Sequence, residues 1–558
     1  MSASPPPTET ALPRLWRRVE WRTCLKAVAI SWTTVGSGIG LMTMAGWLIT
    51  DASLRPPILA LAVAAASVQS LALGRGVGRY AARLVLHAAA LRYLGRIRLW
   101  LYDRLEPLVP AAVPRTGEVV NRLVTDADVV ANGRIRGAAA ITDAVGAWLI
   151  GTLAAIAIQP VLGMIVAAGT AAAQGIALWS TTVHERAEQR LSEARALLNA
   201  QVFEAFSALP ELLVYDRSDV LDTVVRHATA ETRPHEVRHA LTVGLTRMLI
   251  SIISGGTLVL VLLIGRHLAA RGAINGSSVA AAAFLVLAVG EVCLALPDGL
   301  QNIGRARGAA RNLSAVASRP LPSREPAVAG VPPTRPAQLL ARDIVVRRSQ
   351  QADSVSPATG VTEFRYPTVH VPPRARLVVT GPNGSGKSTL SYVLLHFLEP
   401  LSGAVMLGDV PLHTLRRTQI AEVVGWMPDE VYIFTATVRD NVRLAAPTAS
   451  DDACKTALSR VGLAQWLTSL PNGLDTILGA GGRQLSSGER QRLGLARLLL
   501  TAVDIVLLDE PAAHIEPHDV PRLLAEIDAE FTEKSLVIMT PEGIDIPLRA
   551  DATIVLGR

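Results

Sequence analysis

The run Gly381-Pro382-Asn383-Gly384-Ser385-Gly386-Lys387-Ser388-Thr389 decides how the C-terminal part of the chain is read. It follows the strand-like Arg376-Leu377-Val378-Val379-Thr380 and opens a helical pattern. Strand, glycine-rich turn and helix, in that order, form the context a P-loop requires. The glycines let backbone N–H groups turn inward around phosphate oxygens, and the helix N-terminus adds a favourable dipole. Lys387 is expected to reach the β- and γ-phosphates and Ser388 to ligate Mg²⁺.

Two further motifs extend this reading. Ile505-Val506-Leu507-Leu508-Asp509-Glu510 is an apolar strand ending in two acids. Asp509 is expected to hold Mg²⁺, and Glu510 to orient or deprotonate an attacking water. Upstream, Leu485-Ser486-Ser487-Gly488-Glu489 stands at the head of a helical run, where backbone amides and the Ser486 hydroxyl suit a γ-phosphate. A lone P-loop is a weak signal, but the three segments together resemble the ATP-binding cassette (ABC) ATPases. In that family the middle segment is the signature, normally LSGGQ. The resemblance implies ATP as the nucleotide and a signature that contacts ATP bound on the opposite subunit.

Working outward, the first 300 residues have a different character. The chain has 558 residues, half of them hydrophobic, and its mean hydropathy of +0.34 is high for a soluble protein. A spanning helix needs roughly 20 apolar residues. Candidate spans are 27–49, 57–74, 138–158, 161–180, 242–265 and 277–297. The connections 75–137 and 181–241 are long and charged, carrying Arg75, Arg79, Arg83, Arg92, Arg96, Arg98, Arg186, Arg190 and Arg195. Basic residues beside spans favour the cytoplasm, so both connections and both termini are expected there. Arg266 and Arg271 are a mild exception. The net charge of +7 is read as these basic flanks and not as a nucleic-acid footprint; no nucleic-acid partner is expected. The first apolar run is too long for a signal-peptide core. Three scattered cysteines, Cys24, Cys293 and Cys454, form no CxxC pair, which argues against a disulfide framework or a cysteine-based zinc site.

The expected organisation is a cytoplasmic segment over 1–24, an α-helical membrane domain of about six spans over 25–317, a proline-rich linker over 318–337 and an α/β P-loop ATP-binding domain over 338–558. This resembles one half of an ABC exporter. In that family the long extensions end in coupling helices; Gly117 to Leu123, with Asp126 and Asp128, and Pro210 to Asp219 are the matching segments. Both also read as ordinary amphipathic loops.

Against the ABC pattern several positions depart. Asp429 stands where the Q-loop glutamine is usual, Pro541 where the switch histidine is usual, and Glu516 where the D-loop aspartate is usual. Ala480 replaces a glutamate. Arg347 or Arg348 occupies the place of the aromatic that stacks on adenine. Proline has no side-chain hydrogen-bonding group, and losing one positioned donor typically costs roughly 10²–10³ in rate. The expectation is an asymmetric dimer in which the Lys387 site binds ATP and turns over slowly, while this chain's signature completes the partner's site. The alternative is local compensation that restores both sites.

The membrane half carries a narrower resemblance. Gly78-Arg79-Tyr80-Ala81-Ala82-Arg83-Leu84-Val85-Leu86-His87, running on to Leu94, and Ala45-Gly46-Trp47-Leu48 resemble the CydC-type subunits of heterodimeric CydDC exporters. That resemblance implies a homologous CydD-like partner, a place in the plasma membrane bilayer, and export of cysteine or glutathione in support of cytochrome bd assembly. It also implies haem b, for which His87 is the matching iron ligand. Arg79, Arg83 and His87, at i, i+4 and i+8, share one helix face, and arginines suit propionates. With the span ending near Gly74, His87 would stand about 20 Å further along the helix, in the cytoplasmic extension. A lipid-headgroup or structural basic stripe is the plainer reading. Arg247 is expected either to face a cavity or to snorkel. Cys24 and Cys293 are expected to be packing residues, and Gly74 and Gly78 to permit close helix approach or to be merely tolerated. A lipid, peptide or drug exporter half, and a regulatory ATP- or haem-sensing subunit, are the competing functions.

Overall fold

The computed structural model describes residues 21–55, 57–111, 117–349, 361–513, 520–543 and 549–557. The chain divides into a helical unit, Met1–Arg104 with Thr116–Arg319, and an α/β unit, Pro320–Arg558, which also takes in Leu105–Arg115.

The helical unit has six long helices: α1 (Trp21–Ser53), α2 (Ile58–Leu105), α3 (Gly117–Ile158), α4 (Pro160–Ser207), then after the short α5 (Leu209–Val214), α6 (Ser218–Ala270) and α7 (Gly276–Ala317). All six are long and apolar enough to cross a membrane. Each candidate span falls on one of them, the second starting one residue ahead of α2, but the helices do not stop where the apolar runs stop. The span ending near Gly74 continues without a break to Leu105. At 1.5 Å per residue the 48 residues of α2 make a rod of about 72 Å, against roughly 30 Å of hydrocarbon. The charged connections are therefore mostly continuations of the spans. Arginine, alanine and leucine have good helix propensity, so the polarity changes without a breaker. Pro160 opens α4 at its first position, where a missing N–H costs nothing, and makes the short turn after Gln159.

Large apolar side chains such as Val63, Leu73 and Leu263 stay exposed on these helices, as lipid-facing surfaces require. Small residues let the helices approach. A Cβ on Gly78 would stand 2.4 Å from Thr34 Oγ1 on α1, and one on Gly137 would stand 2.2 Å from Ile303 Cγ1 on α7. Gly78 thus sits at a close approach of α2 to α1. Cys293 is buried in the helical core. Arg247 donates through one nitrogen to both carboxylate oxygens of Asp298, at 2.7 and 2.8 Å, as an exposed ion pair between α6 and α7. The segment Pro210 to Asp219 forms α5 and the start of α6, with Leu213, Val214 and Tyr215 exposed.

In the α/β unit, β1 (Leu339–Ser349), β2 (Val361–Tyr366), β3 (Val369–Val371), β5 (Ser402–Leu407) and β6 (Val410–Pro411) form an antiparallel sheet. The second sheet is parallel, in the order β10 (Ala552–Val555), β4 (Arg376–Thr380), β9 (Ser535–Thr540), β8 (Ile505–Asp509), β7 (Val424–Met427). Its central strands are buried on both faces, which explains their continuous apolar runs. On β8, Ile505 and Leu507 enter one core cluster and Val506 and Leu508 the other; on β9, Val537 and Met539 alternate with Leu536 and Ile538 in the same way. The helices are α8 (Lys387–Leu394), α9 (Arg417–Ala421), α10 (Val438–Arg443), α11 (Asp451–Arg460), α12 (Ala464–Ser469), α13 (Ser487–Leu499) and α14 (Val520–Glu530). Cys454 is buried in the core beside α13.

The stretch that composition marks as a linker is tied to this unit along much of its length. Glu399 N–H donates to Pro322 O at 2.8 Å and Gly330 N–H to Thr414 O at 2.9 Å. Arg335 grips Asp504, and the Ala337 N–H donates to the same carboxylate at 3.0 Å.

Candidate nucleotide site and a membrane-domain cavity

Ligands of parallel sheets gather beyond the carboxyl ends of the strands. Here β4, β9 and β8 pair in register, Thr380 with Thr540 and Met539 with Asp509. The residues that follow each strand, Gly381, Pro541 and Glu510, are thereby brought to one end of the sheet. Thr380 Oγ1 donates to Pro541 O at 3.3 Å.

The P-loop leads into α8, whose first residue is Lys387. Gly384 and Gly386 hold φ of +86° and +96°, a left-handed backbone that glycine adopts without penalty. Lys387 is 5% exposed. Its ammonium donates to Gly381 O at 2.9 Å and Pro382 O at 3.3 Å, and stands 3.4 Å from Glu510 Oε1. Its charge thus lies inside the loop that would hold the phosphates. The Tyr366 hydroxyl donates to Gly386 O at 2.8 Å and braces the loop from β2.

Asp509 is 1% exposed. Burial raises its carboxyl to about 6; a hydrogen bond with Ser388 opposes this, and the charges of Asp429 and Glu510 reinforce it. Asp509 Oδ1 and Ser385 Oγ are buried without a hydrogen-bond partner among the described residues. A bare carboxylate oxygen, a neighbouring hydroxyl and nearby acids are the hard oxygen donors Mg²⁺ prefers. The residues fit that ion: Ser388 and Asp509 would hold it, with Asp429 close by. Asp429 accepts the N–H of Glu430 at 2.8 Å.

Ser486 caps α13. Its Oγ accepts the N–H of Glu489 at 3.2 Å, and its own N–H donates to Glu489 Oε2 at 2.8 Å, a reciprocal capping box. Leu485 is buried beneath, while Ser487 and Gly488 open the helix. Sequence reasoning missed Gln491, which donates to Ala513 O at 2.6 Å and so ties the signature helix to the chain after Glu510. His514, Ile515 and Glu516 lie outside the described residues.

A second site lies within the helical unit. A cavity of about 980 Å³ is lined by Arg75, Arg79, Arg83 and His87 of α2, with Asp143 of α3 and Glu291 of α7. The unbroken α2 carries His87 on the wall of this cavity together with Arg79 and Arg83. Arg75 pairs with Glu291 at 3.0 Å, and the Ser31 hydroxyl donates to Asp143. Arg79, Arg83 and His87 have no hydrogen-bond or ion-pair partner among the described residues. Asp143 and Glu291 were not singled out in the sequence, although an acid inside an apolar span is itself a functional signal.

The ABC transporter family profile matches residues 365–513. The chain is 28% identical over 548 residues to the glutathione/L-cysteine transport system ATP-binding/permease protein CydC of Escherichia coli K12, covering 94% of this chain and 91% of that protein. It is 25% identical to CydD of the same kind of system in Bacillus subtilis, over 91% of this chain and 87% of that protein. The solved structure of a bacterial Atm1-family ABC exporter with ATP bound superposes with a TM-score of 0.73, at 16% identity, covering 94% of this chain and 91% of that one; at that identity the match speaks for the fold. Six apolar helices joined to one ATP-binding domain, with P-loop, signature and acidic strand in order, together with this similarity along nearly the whole chain, support an ABC half-transporter of the CydC type.

Proposed function

We propose that the chain is one subunit of a heterodimeric exporter that moves cysteine, glutathione or both out of the cytoplasm, with a CydD-like partner. The observation that carries this reading is similarity along nearly the whole chain to transport subunits of that substrate class. In this reading both termini are cytoplasmic and the protein sits in the plasma membrane, its export serving cytochrome bd assembly.

At its own nucleotide site Lys387, with the backbone N–H groups of Asn383 to Thr389, binds ATP phosphates. Ser388 and Asp509 hold Mg²⁺, which when bound neutralises charge on the phosphate oxygens. Glu510 orients the attacking water. Lys387 must first leave Glu510 and the loop carbonyls, which frees the acid for that water. Pro541, at the end of β9 beside the P-loop, offers no side-chain donor to the γ-phosphate, and Asp429 adds a negative charge. Turnover at this site is slow for those two reasons. The segment Leu485 to Glu489 serves the partner's ATP instead.

The unpaired Arg79 and Arg83 give the membrane-domain cavity a place for carboxylates. Glutathione brings two and cysteine one. Haem b is the second reading of this cavity, favoured by His87 on the same wall: imidazole suits haem iron and the two arginines suit its propionates. The test of transport is uptake of radiolabelled cysteine and glutathione into inverted vesicles holding the chain and its partner. ATP-dependent thiol uptake is expected; uptake of other cargo alone would sink the thiol assignment. For haem, the Soret band of the purified complex is expected to shift in His87→Ala, and an unchanged band removes His87.

A further inference from the structure

Arg348, near the end of β1, is one of the two arginines that stand where ABC proteins put an adenine-stacking aromatic, and its side chain is turned toward the P-loop helix. Its Nη1 donates to Thr389 Oγ1 at 3.0 Å. Its guanidinium carbon lies 5.4 Å from the ring centroid of Tyr392, three residues further along α8. Its charge also acts on Tyr366, whose hydroxyl braces Gly386. The guanidinium is thus fixed against the first turn of α8. Among the described residues no carboxylate pairs with it, and Thr389 beneath it is 2% exposed.

A half-buried cation without a counter-ion, set against a P-loop helix, needs an anion. Lys387 serves the β- and γ-phosphates and Ser388 the metal, so the group left for the next residue, Thr389, and its partner is the inner phosphate. A planar fork suits phosphate oxygens, and one arm can keep Thr389 while another turns to the ligand. We propose that Arg348 is a nucleotide ligand that grips the α-phosphate side of the bound triphosphate, so that this site holds its nucleotide by phosphate charge more than by its base. The inference rests on ATP binding at Lys387 and adds a residue and a selectivity to it. The rival geometry is a guanidinium stacked on the adenine ring.

The test is equilibrium binding of ATP, GTP and CTP, each with Mg²⁺, to the full-length chain in detergent. The unsubstituted chain is expected to bind the three within about threefold of each other. Arg348→Ala is expected to weaken all three by one common factor of about 10–100, the range for a hydrogen bond to a charged group. Arg348→Lys, which keeps charge and loses the fork, is expected to fall between, and it guards against a folding defect in the alanine variant. Arg348→Tyr is expected to create a preference for ATP over CTP. Strong adenine preference in the unsubstituted chain that disappears in Arg348→Ala would overturn the proposal in favour of stacking, as would unchanged binding in Arg348→Ala. Absence of all binding in the unsubstituted chain, matching Lys387→Ala, would instead sink the ATP site itself.

Discussion

The Glu489 carboxylate accepts the backbone N–H of Ser486 at 2.8 Å, so the anion-binding end of the signature helix is already occupied by an anion of its own chain. Arg483 stands 3.7 Å from the same carboxylate and offsets it in part. An incoming γ-phosphate must share those donors with Glu489. Glu489→Gln keeps the capping box and removes the charge. It is expected to lower the ATP concentration for half-maximal hydrolysis by the heterodimer about fivefold, near 1 kcal/mol for a charge at a helix N-terminus. The gain should shrink at high salt. No change at low ionic strength would show that the carboxylate does not oppose the phosphate.

The raised Asp509 carboxyl gives a pH dependence with a definite sign. Below its pKa of about 6 the group carries a proton that must leave before a cation can bind. Mg²⁺ affinity of the full-length chain, without nucleotide, is expected to fall up to tenfold per pH unit below about 6 and to level off above. Asp509→Asn is expected to abolish that dependence along with most of the affinity. A profile that keeps rising from pH 7 to 8 would assign the proton to another group.

Pro541 can be replaced by the residue whose chemistry it lacks. Pro541→His supplies a donor at the end of β9 and leaves Thr380 its backbone acceptor. With the partner's catalytic acid silenced, ATP turnover is expected to rise about tenfold, less than the roughly 10²–10³ a positioned donor is worth because Asp429 remains. If Glu510→Gln in the otherwise intact heterodimer removed most hydrolysis, the slow-site assignment would fail.

The grip of Arg335 on Asp504 predicts a stability effect in the α/β unit. Asp504 is partly buried, which by itself would raise its pKa, but the Arg335 hydrogen bonds and the Ala337 N–H outweigh this and hold it below the ordinary aspartate value. A depressed carboxylate contributes stability above its unfolded pKa of about 3.9 and loses it as pH falls through the folded value. Arg335→Ala is expected to cost about 1 kcal/mol at pH 7, since the pair is partly solvated, or about 2–4 °C in the melting midpoint. The difference from the unsubstituted chain should narrow below about pH 4; a difference that stays constant to pH 3 would place the effect elsewhere.

What was legible in the sequence follows from where its signals are local. The P-loop and Ile505 to Glu510 announce themselves because strand, turn and helix chemistry sit within about ten residues of each other. The six spans were placed for the same reason. Helix ends were not, since nothing between Gly74 and Leu105 breaks a helix; only the polarity changes. The hold of residues 322–337 on Glu399, Thr414 and Asp504 was invisible because each contact spans some 75 to 170 residues. The missing aromatic at Arg347 or Arg348 is legible in the sequence, but the bond of Arg348 to Thr389 depends on how β1 lies against α8. The cavity, too, needed three helices folded together before Asp143 and Glu291 could meet the arginines of α2.

The continuity of α2 has a mechanical meaning. A hydrogen-bonded helix resists stretching, so a rod this long acts as a lever. A tilt near Leu105 and the position of the wall that carries Arg75 to His87 are linked through this one rod, and a ligand at the wall would bias that tilt to the extent that it binds one position better than another.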